Sequence, residues 1–375
     1  MLNPKALKKL RILMLNYEFP PLGGGASPVS YEIAKGYVKL GHSVDVVTMH
    51  YKGLPFYEEK DGIHIYRVRC IRKKKEMCTT LEMFTYVVSA KHFLKAHLKT
   101  HNYDINHTHF IIPTGIVSLW AKKKFGLPYI ITSHGSDVPG YNSDRFKLAH
   151  FFTKPLLRKV CNGAKIIISP SSYLSELIKN KIGNYKIKLI ANGVEISKFM
   201  PKKKEKIILS TGRLLKRKGF QYLIKAVSDK DYGYMVHIAG DGPMMNELKV
   251  LAKKSKTKVF FHGWLNNKSQ EYKNLLESAS IYILASEKEN ASVSLLEAMS
   301  AGCAVITTNV SGCPETVGEA GLVFEPRNIT ELRNKINYVI KNSSKMVALQ
   351  KRARKRIVEN YDWNRLIKKY EGMFQ

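Results

Sequence analysis

The sequence predicts an α/β protein of two Rossmann-like domains facing one another across a cleft, and three features carry that expectation. Short apolar, β-branched runs alternate with helical stretches from one end of the chain to the other. The alternation begins afresh near Lys206. Between the two series lies Lys198-Phe-Met-Pro-Lys-Lys-Lys-Glu-Lys206, whose proline and charges suit a linker. Apolar runs punctuated by Gly or Pro, with helices between, indicate parallel strands covered on both faces.

The first series opens with Arg11–Asn16, which leads through Pro20-Pro-Leu-Gly-Gly-Gly25 into a helix over Tyr31–Leu40. Gly41 stops that helix, and Gly41–Thr48 is the next strand. Ile63–Val68, Ile105–His107, Tyr129–Ser133 and Lys165–Ser169 continue the series. The second series is Lys206–Thr211, Tyr234–Ala239, Val259–His262, Ile281–Ala285 and Ala304–Thr308. The tail Lys345–Gln375 is basic and helical, with a break at Asp362-Trp363. The expected domains are therefore 1–196 and 197–355, with a helix in 356–375 crossing back to the first.

At 375 residues the chain is long enough for two cores. Its apolar and charged fractions are those of a globular protein, which excludes wholesale disorder. No apolar run is long enough to span a bilayer. Met1–Leu10 lacks the unbroken apolar region of a secretory signal, so a cytoplasmic location is expected. Cys70, Cys78, Cys161, Cys303 and Cys313 match no zinc or redox spacing and read as reduced, mostly buried thiols. The net charge of +32 is spread along the chain and favours polyanionic partners: phosphorylated substrates, anionic lipid or nucleic acid.

The most informative stretch is Glu289-Asn-Ala-Ser-Val-Ser-Leu-Leu-Glu297-Ala-Met-Ser-Ala-Gly302. Two carboxylates stand astride the start of an apolar helix that Gly302 closes. One acid would suffice to complement a helix N-terminus. Two of them, framing the small residues Ala291, Ser292 and Ser294, suit a polyhydroxylated ligand, because carboxylates accept hydrogen bonds from paired hydroxyls. Upstream, Gly212-Arg-Leu-Leu-Lys-Arg-Lys-Gly219 places Arg213 beyond a strand and Lys218 at the beginning of a helix, a pairing suited to a diphosphate.

Ligands of open α/β sheets bind at the carboxyl ends of strands. Gly23, Gly24 and Gly25, His134, Arg213, Asp241 and Glu289 all follow expected strands, where a site shared by two sheets would form.

Together these segments closely resemble the retaining nucleotide-sugar glycosyltransferases of family 4, which have the two-domain GT-B architecture. The resemblance covers most of the chain and rests on Gly23-Gly-Gly25, Ser133-His-Gly-Ser-Asp137, Ala191-Asn-Gly-Val-Glu195 with Phe199, Gly212-Arg-Leu through Lys218-Gly219, Gly240-Asp-Gly-Pro243, and the pair Glu289/Glu297. It implies transfer of a hexose from a nucleoside diphosphate sugar to a hydroxyl acceptor, a glycan, polysaccharide or lipid-linked molecule, with no metal or other cofactor. By the same resemblance, Glu297 would hold the donor ribose hydroxyls. Glu289 would bind the transferred sugar, Arg213 and Lys218 would neutralise the diphosphate, and His134 would reach the donor sugar. Gly23–Gly25 would approach phosphate or acceptor with bare backbone, and Asp241 would line the donor site. The loop Asn290-Ala-Ser292 would grip the sugar, yet many relatives carry glycine and phenylalanine there, so the identity of the sugar does not carry over.

Other signals are set aside. Asp229-Lys-Asp231 has the form of a metal-binding DxD but falls at the wrong strand end, and His107-Thr-His109 lacks a third ligand at metal spacing. Gly23-Gly-Gly25 lacks the Lys-Ser/Thr ending of a P-loop. The basic run Arg67–Lys75 leads into Met77–Thr100, which mixes Phe84, Tyr86, Val87, Val88, Phe93 and Leu94 with Lys91, Lys95 and Lys99; it suits either packing on its own sheet or contact with an anionic membrane. The competing functions are a sugar-nucleotide epimerase on the same fold and a non-enzymatic anionic-surface or nucleic-acid binder. Nothing resembles a nucleic-acid module, and acids in the main site oppose phosphate-backbone binding.

Overall fold

The structure, a computed structural model, describes residues 8–141 and 147–374. The N-terminal reading rests largely on residues 1–7, outside that range. The chain forms two compact units: one runs up to Ala191 and resumes at Trp363, the other is Asn192–Asp362.

In the first unit eight strands form one sheet: β1 (Arg11–Leu15), β2 (Ser43–Met49), β3 (Tyr57–Lys60), β4 (Ile63–Val68), β5 (Ile105–His109), β6 (Tyr129–Thr132), β7 (Ile167–Ser169) and β8 (Ile187–Leu189). Their order is β3-β4-β2-β1-β5-β6-β7-β8. Every pairing is parallel except that of β3 with β4. The apolar runs become buried strands because helices cover both faces; Ile12, Leu13, Met14 and Leu15 are wholly enclosed. β3 and β8 fall outside the sequence expectation. Both are short, partly exposed edge strands without an apolar run to announce them.

The second unit has six strands: β9 (Glu205–Thr211), β10 (Met235–Ala239), β11 (Val259–Gly263), β12 (Ala279–Leu284), β13 (Ala304–Thr308) and β14 (Gly321–Phe324), in the order β11-β10-β9-β12-β13-β14, all parallel. The chain leaves β9 toward β10 on one side and returns to β12 on the other. The crevice between β9 and β12 is therefore the switch point at which doubly wound sheets bind ligands. In the first sheet the equivalent point lies between β1 and β5.

The stretch Lys198–Lys206, expected as a linker, is instead part of the second unit: Glu205 and Lys206 open β9, and the residues before them are tied down by side chains. The buried Glu277 carboxylate accepts from the Met200 amide at 2.8 Å and pairs with Lys202 at 2.9 Å; Lys204 donates to the Glu277 and Ala301 carbonyls. A buried acid far along the chain converts what reads as a solvated charge run into packed structure.

The tail does break where Asp362 and Trp363 suggest, between helices Ser343–Asn360 and Trp363–Glu371. The last helix packs on helix Ala26–Lys39. Gly36 makes room for it, since a Cβ there would overlap Ile367, and Glu371 meets His42 Nε2 at 2.9 Å. Replacing the enclosed Ile367 with alanine is expected to cost about 2–5 kcal/mol, read as a lower urea midpoint.

Candidate functional site

The second unit assembles the site from loops that leave β9, β10 and β12. Beyond β9, Arg213 lies half-buried, and Leu214 N–H donates to the Asp241 carbonyl at 2.8 Å, joining this loop to the one after β10. Lys216–Lys218 then form a 3₁₀ turn, and Gly219, at φ +75°, turns the chain into helix Phe220–Ala226. Only glycine suits this corner: a Cβ would collide with the Ala285 carbonyl just past β12. Glu287 N–H donates to the Arg217 carbonyl at 2.8 Å, a second tie between the β9 and β12 loops.

That close approach brings Lys218 and Glu289 together, 71 residues apart in sequence. The Lys218 ammonium donates to Glu289 Oε1, and Ser286 Oγ donates to the same oxygen at 2.9 Å. Glu289 and Asn290 are almost wholly buried, and Asn192 Nδ2 donates to the Ala291 carbonyl at 3.0 Å. Ser292 Oγ lies 3.1 Å from Ser294 Oγ. The exposed Asp241 carboxylate accepts from Gly242 N–H at 2.7 Å and so shapes its own turn.

Glu297 does not stand at the start of its helix. The helix runs Val293–Ser300, and Glu297 is one turn inside it, 6% exposed. It therefore complements no free amide of the first turn. Its carboxylate accepts from Tyr272 Oη at 2.7 Å and lies 3.5 Å from Lys198 Nζ. Burial raises its pKa, and Lys198 and Tyr272 oppose the rise. A buried carboxylate held by one phenol and one ammonium is organised to accept further hydrogen bonds. Lys198 and Tyr272 were not among the expected site residues. Lys198 adjoins the quoted Phe199, but nothing local to Tyr272 links it to an acid 25 residues later.

In the first unit, Gly23 N–H donates to the Lys75 carbonyl at 2.8 Å, and Gly24 N–H to the Glu18 carboxylate at 3.4 Å. Gly25 caps helix Ala26–Lys39, and a Cβ there would meet nothing within 4 Å. His134 follows β6, half-buried, with Nε2 at 3.0 Å from His109 Nδ1 and its ring 4.7 Å from that of Phe110. Asp137 holds the turn: its carboxylate accepts from Ser133 Oγ and from the amides of Ile111, His134 and Gly135 at 2.7–3.2 Å. Asp229 pairs with Arg333 and Asp231 accepts from Gly233 N–H, a turn on the amino side of β10. His107 is enclosed between Tyr37 Oη and Thr132 Oγ1. Among the described residues no group of three or more His, Cys, Asp or Glu could hold a metal ion.

Desolvation pushes His107 and His134 down to about 3 and His97 to about 4, and His109 well below its ordinary value. These rings are neutral when folded but gain protons on unfolding once the pH falls below about 6.5. The unfolded chain then binds more protons, so their contribution is complete above that pH and is lost as the pH falls toward 3. The melting temperature is expected to drop between about pH 7 and 5, above the carboxylate range; a flat profile there would count against it.

Two family descriptions together match residues 23–356 of the chain: "Glycosyltransferase Family 4" over residues 23–198 and "Glycosyl transferases group 1" over residues 194–356. The chain belongs to the family 4 glycosyltransferases of GT-B architecture. An uncharacterized glycosyltransferase of Methanocaldococcus jannaschii is 28% identical to this enzyme over 394 residues, covering 98% of each chain. Sucrose-phosphate synthase from Thermosynechococcus elongatus shares the enzyme's fold with a TM-score of 0.82 at 18% identity, covering 98% of each chain. An Anabaena protein solved in complex with UDP-glucose superposes with a TM-score of 0.72 at 18% identity, covering 97% of this glycosyltransferase and 99% of that protein.

Proposed function

We propose that the chain transfers a hexose, with retention and without a metal, from a nucleoside diphosphate sugar to a hydroxyl of a glycan, polysaccharide or lipid-linked acceptor. The observation that carries this reading is the pair of buried carboxylates at the switch point of the second sheet, Glu289 held by Lys218 and Glu297 held by Lys198. Glu297 binds the ribose hydroxyls, and Glu289 with the Asn290–Ser292 loop binds those of the sugar. Asp241, at the turn after β10, lines the donor site. Arg213 and Lys218 take up the diphosphate.

In the reaction the anomeric C–O bond to the diphosphate breaks, and the acceptor oxygen bonds to the same face of the sugar. The acceptor proton passes to the departing phosphate oxygen. Charge grows on the leaving group, so fixed cations supply the main stabilisation. Glu289 Oε1 is already engaged by Lys218 and Ser286, which suits a sugar-binding acid better than a nucleophile. His134 of the first unit is neutral at physiological pH, so any hydrogen bond it makes to a substrate is that of an uncharged imidazole.

The test is a panel of nucleotide sugars screened by thermal shift, followed by transfer assays with and without EDTA. A true donor raises the melting point, its product keeps the anomeric configuration, and chelation changes nothing. Inverted product, loss of activity in EDTA, or conversion of donor to its epimer without acceptor would each defeat the reading.

A further inference from the structure

We propose that the outer face of helix Thr80–Thr100, with the loop before it, docks the protein on an anionic lipid bilayer. The structure sorts this helix into two faces. Tyr86, Val87, Ala90 and Leu94 are buried against the first sheet, while Leu81, Phe84 and Val88 are 65%, 63% and 52% exposed. The exposed three stand at i, i+3 and i+7, a single stripe along the helix. The same face continues through exposed Lys95 and Lys99. A capping box of Thr79 and Glu82 fixes the beginning of the helix, so the stripe is rigidly presented.

The loop in front adds the matching charge. Ile71 and Met77 are exposed apolar side chains, and Arg69, Lys73, Lys74 and Lys75 are exposed around them, with Glu76 the one acid among them. Beside the helix, a groove of about 300 Å³ is lined by Lys91, Ile116, Leu119, Trp120, Lys123 and Lys124, again apolar side chains ringed by ammonium groups. Contiguous exposed apolar surface marks an interaction site. Its basic rim selects the occupant: apolar side chains that enter the acyl boundary while lysines reach the headgroups match an anionic leaflet. No helix among the described residues is long and apolar enough to cross a membrane, so contact at this face is peripheral.

The proposal stands apart from the reaction and is tested without it. The full-length protein is floated with phosphatidylcholine vesicles, and with vesicles in which part of the lipid is phosphatidylglycerol. Flotation is expected with the anionic vesicles only and is expected to fade with added salt. The triple variant L81S/F84S/V88S is expected to weaken binding by at least about tenfold, as is K73E/K74E. Melting temperature and nucleotide-sugar binding should stay those of the parent, because these side chains are exposed and belong to neither the core nor the candidate site. Equal flotation with neutral vesicles, or none with either, overturns the proposal. So does a parent dimer that the serine variant turns into a monomer while lipid binding is unchanged, which would assign the face to a second copy of the chain.

Discussion

Replacing Lys218 with alanine is expected to lower kcat for sugar transfer by about 10²–10³, the range found when one preorganised donor to a developing oxyanion is removed. The loss falls on kcat more than on KM, because diphosphate charge is greatest at the transition state. Two effects are superimposed in this variant. The leaving group loses a cation, and the buried Glu289 loses the ammonium that compensates it. The double variant K218A/E289Q, which also removes the buried charge, is expected to recover thermal stability and so assigns the stability loss of K218A to the uncompensated Glu289. An unchanged kcat in K218A, measured at saturating donor, would remove the diphosphate role from this residue.

Glu297→Gln is expected to weaken donor binding by about 10–100-fold, the cost of losing hydrogen bonds to a charged acceptor in a buried site. Stability also shifts, since Lys198 is left beside a neutral amide. A distinguishing measurement compares a ribonucleoside diphosphate with its 2′,3′-dideoxy analogue by calorimetry. The parent prefers the ribonucleotide, and E297Q loses the preference. A preference that survives the substitution places the ribose elsewhere. Tyr272→Phe, which removes one hydrogen bond and leaves the charge, is expected to have a smaller effect in the same direction.

The fold was largely legible in the sequence, for a physical reason. Strands buried on both faces must be apolar throughout, so their runs stand out, and the residues that follow them fall at the carboxyl ends where ligands gather. Arg213, Asp241 and Glu289 all follow strands, as that rule expects. What escaped were features set by distant partners. Edge strands β3 and β8 are held by neighbouring strands without an apolar run of their own. Lys202 and Lys204 read as solvated charge until Glu277 is seen beneath them. The surroundings of Glu297 depend on Tyr272 and Lys198, which no local periodicity joins to it.

The first unit is discontinuous, and that has a bearing on its birth at the ribosome. Its closing helix, with Ile367 seated over Gly36 and Glu371 meeting His42, is encoded after the whole of Asn192–Asp362. The earlier-synthesised portion must therefore wait, with part of its surface uncovered, while the later portion emerges and takes shape. The codons for Trp363–Glu371 are then the ones that seal the first unit, and nascent chains that stop short of them leave that seam open.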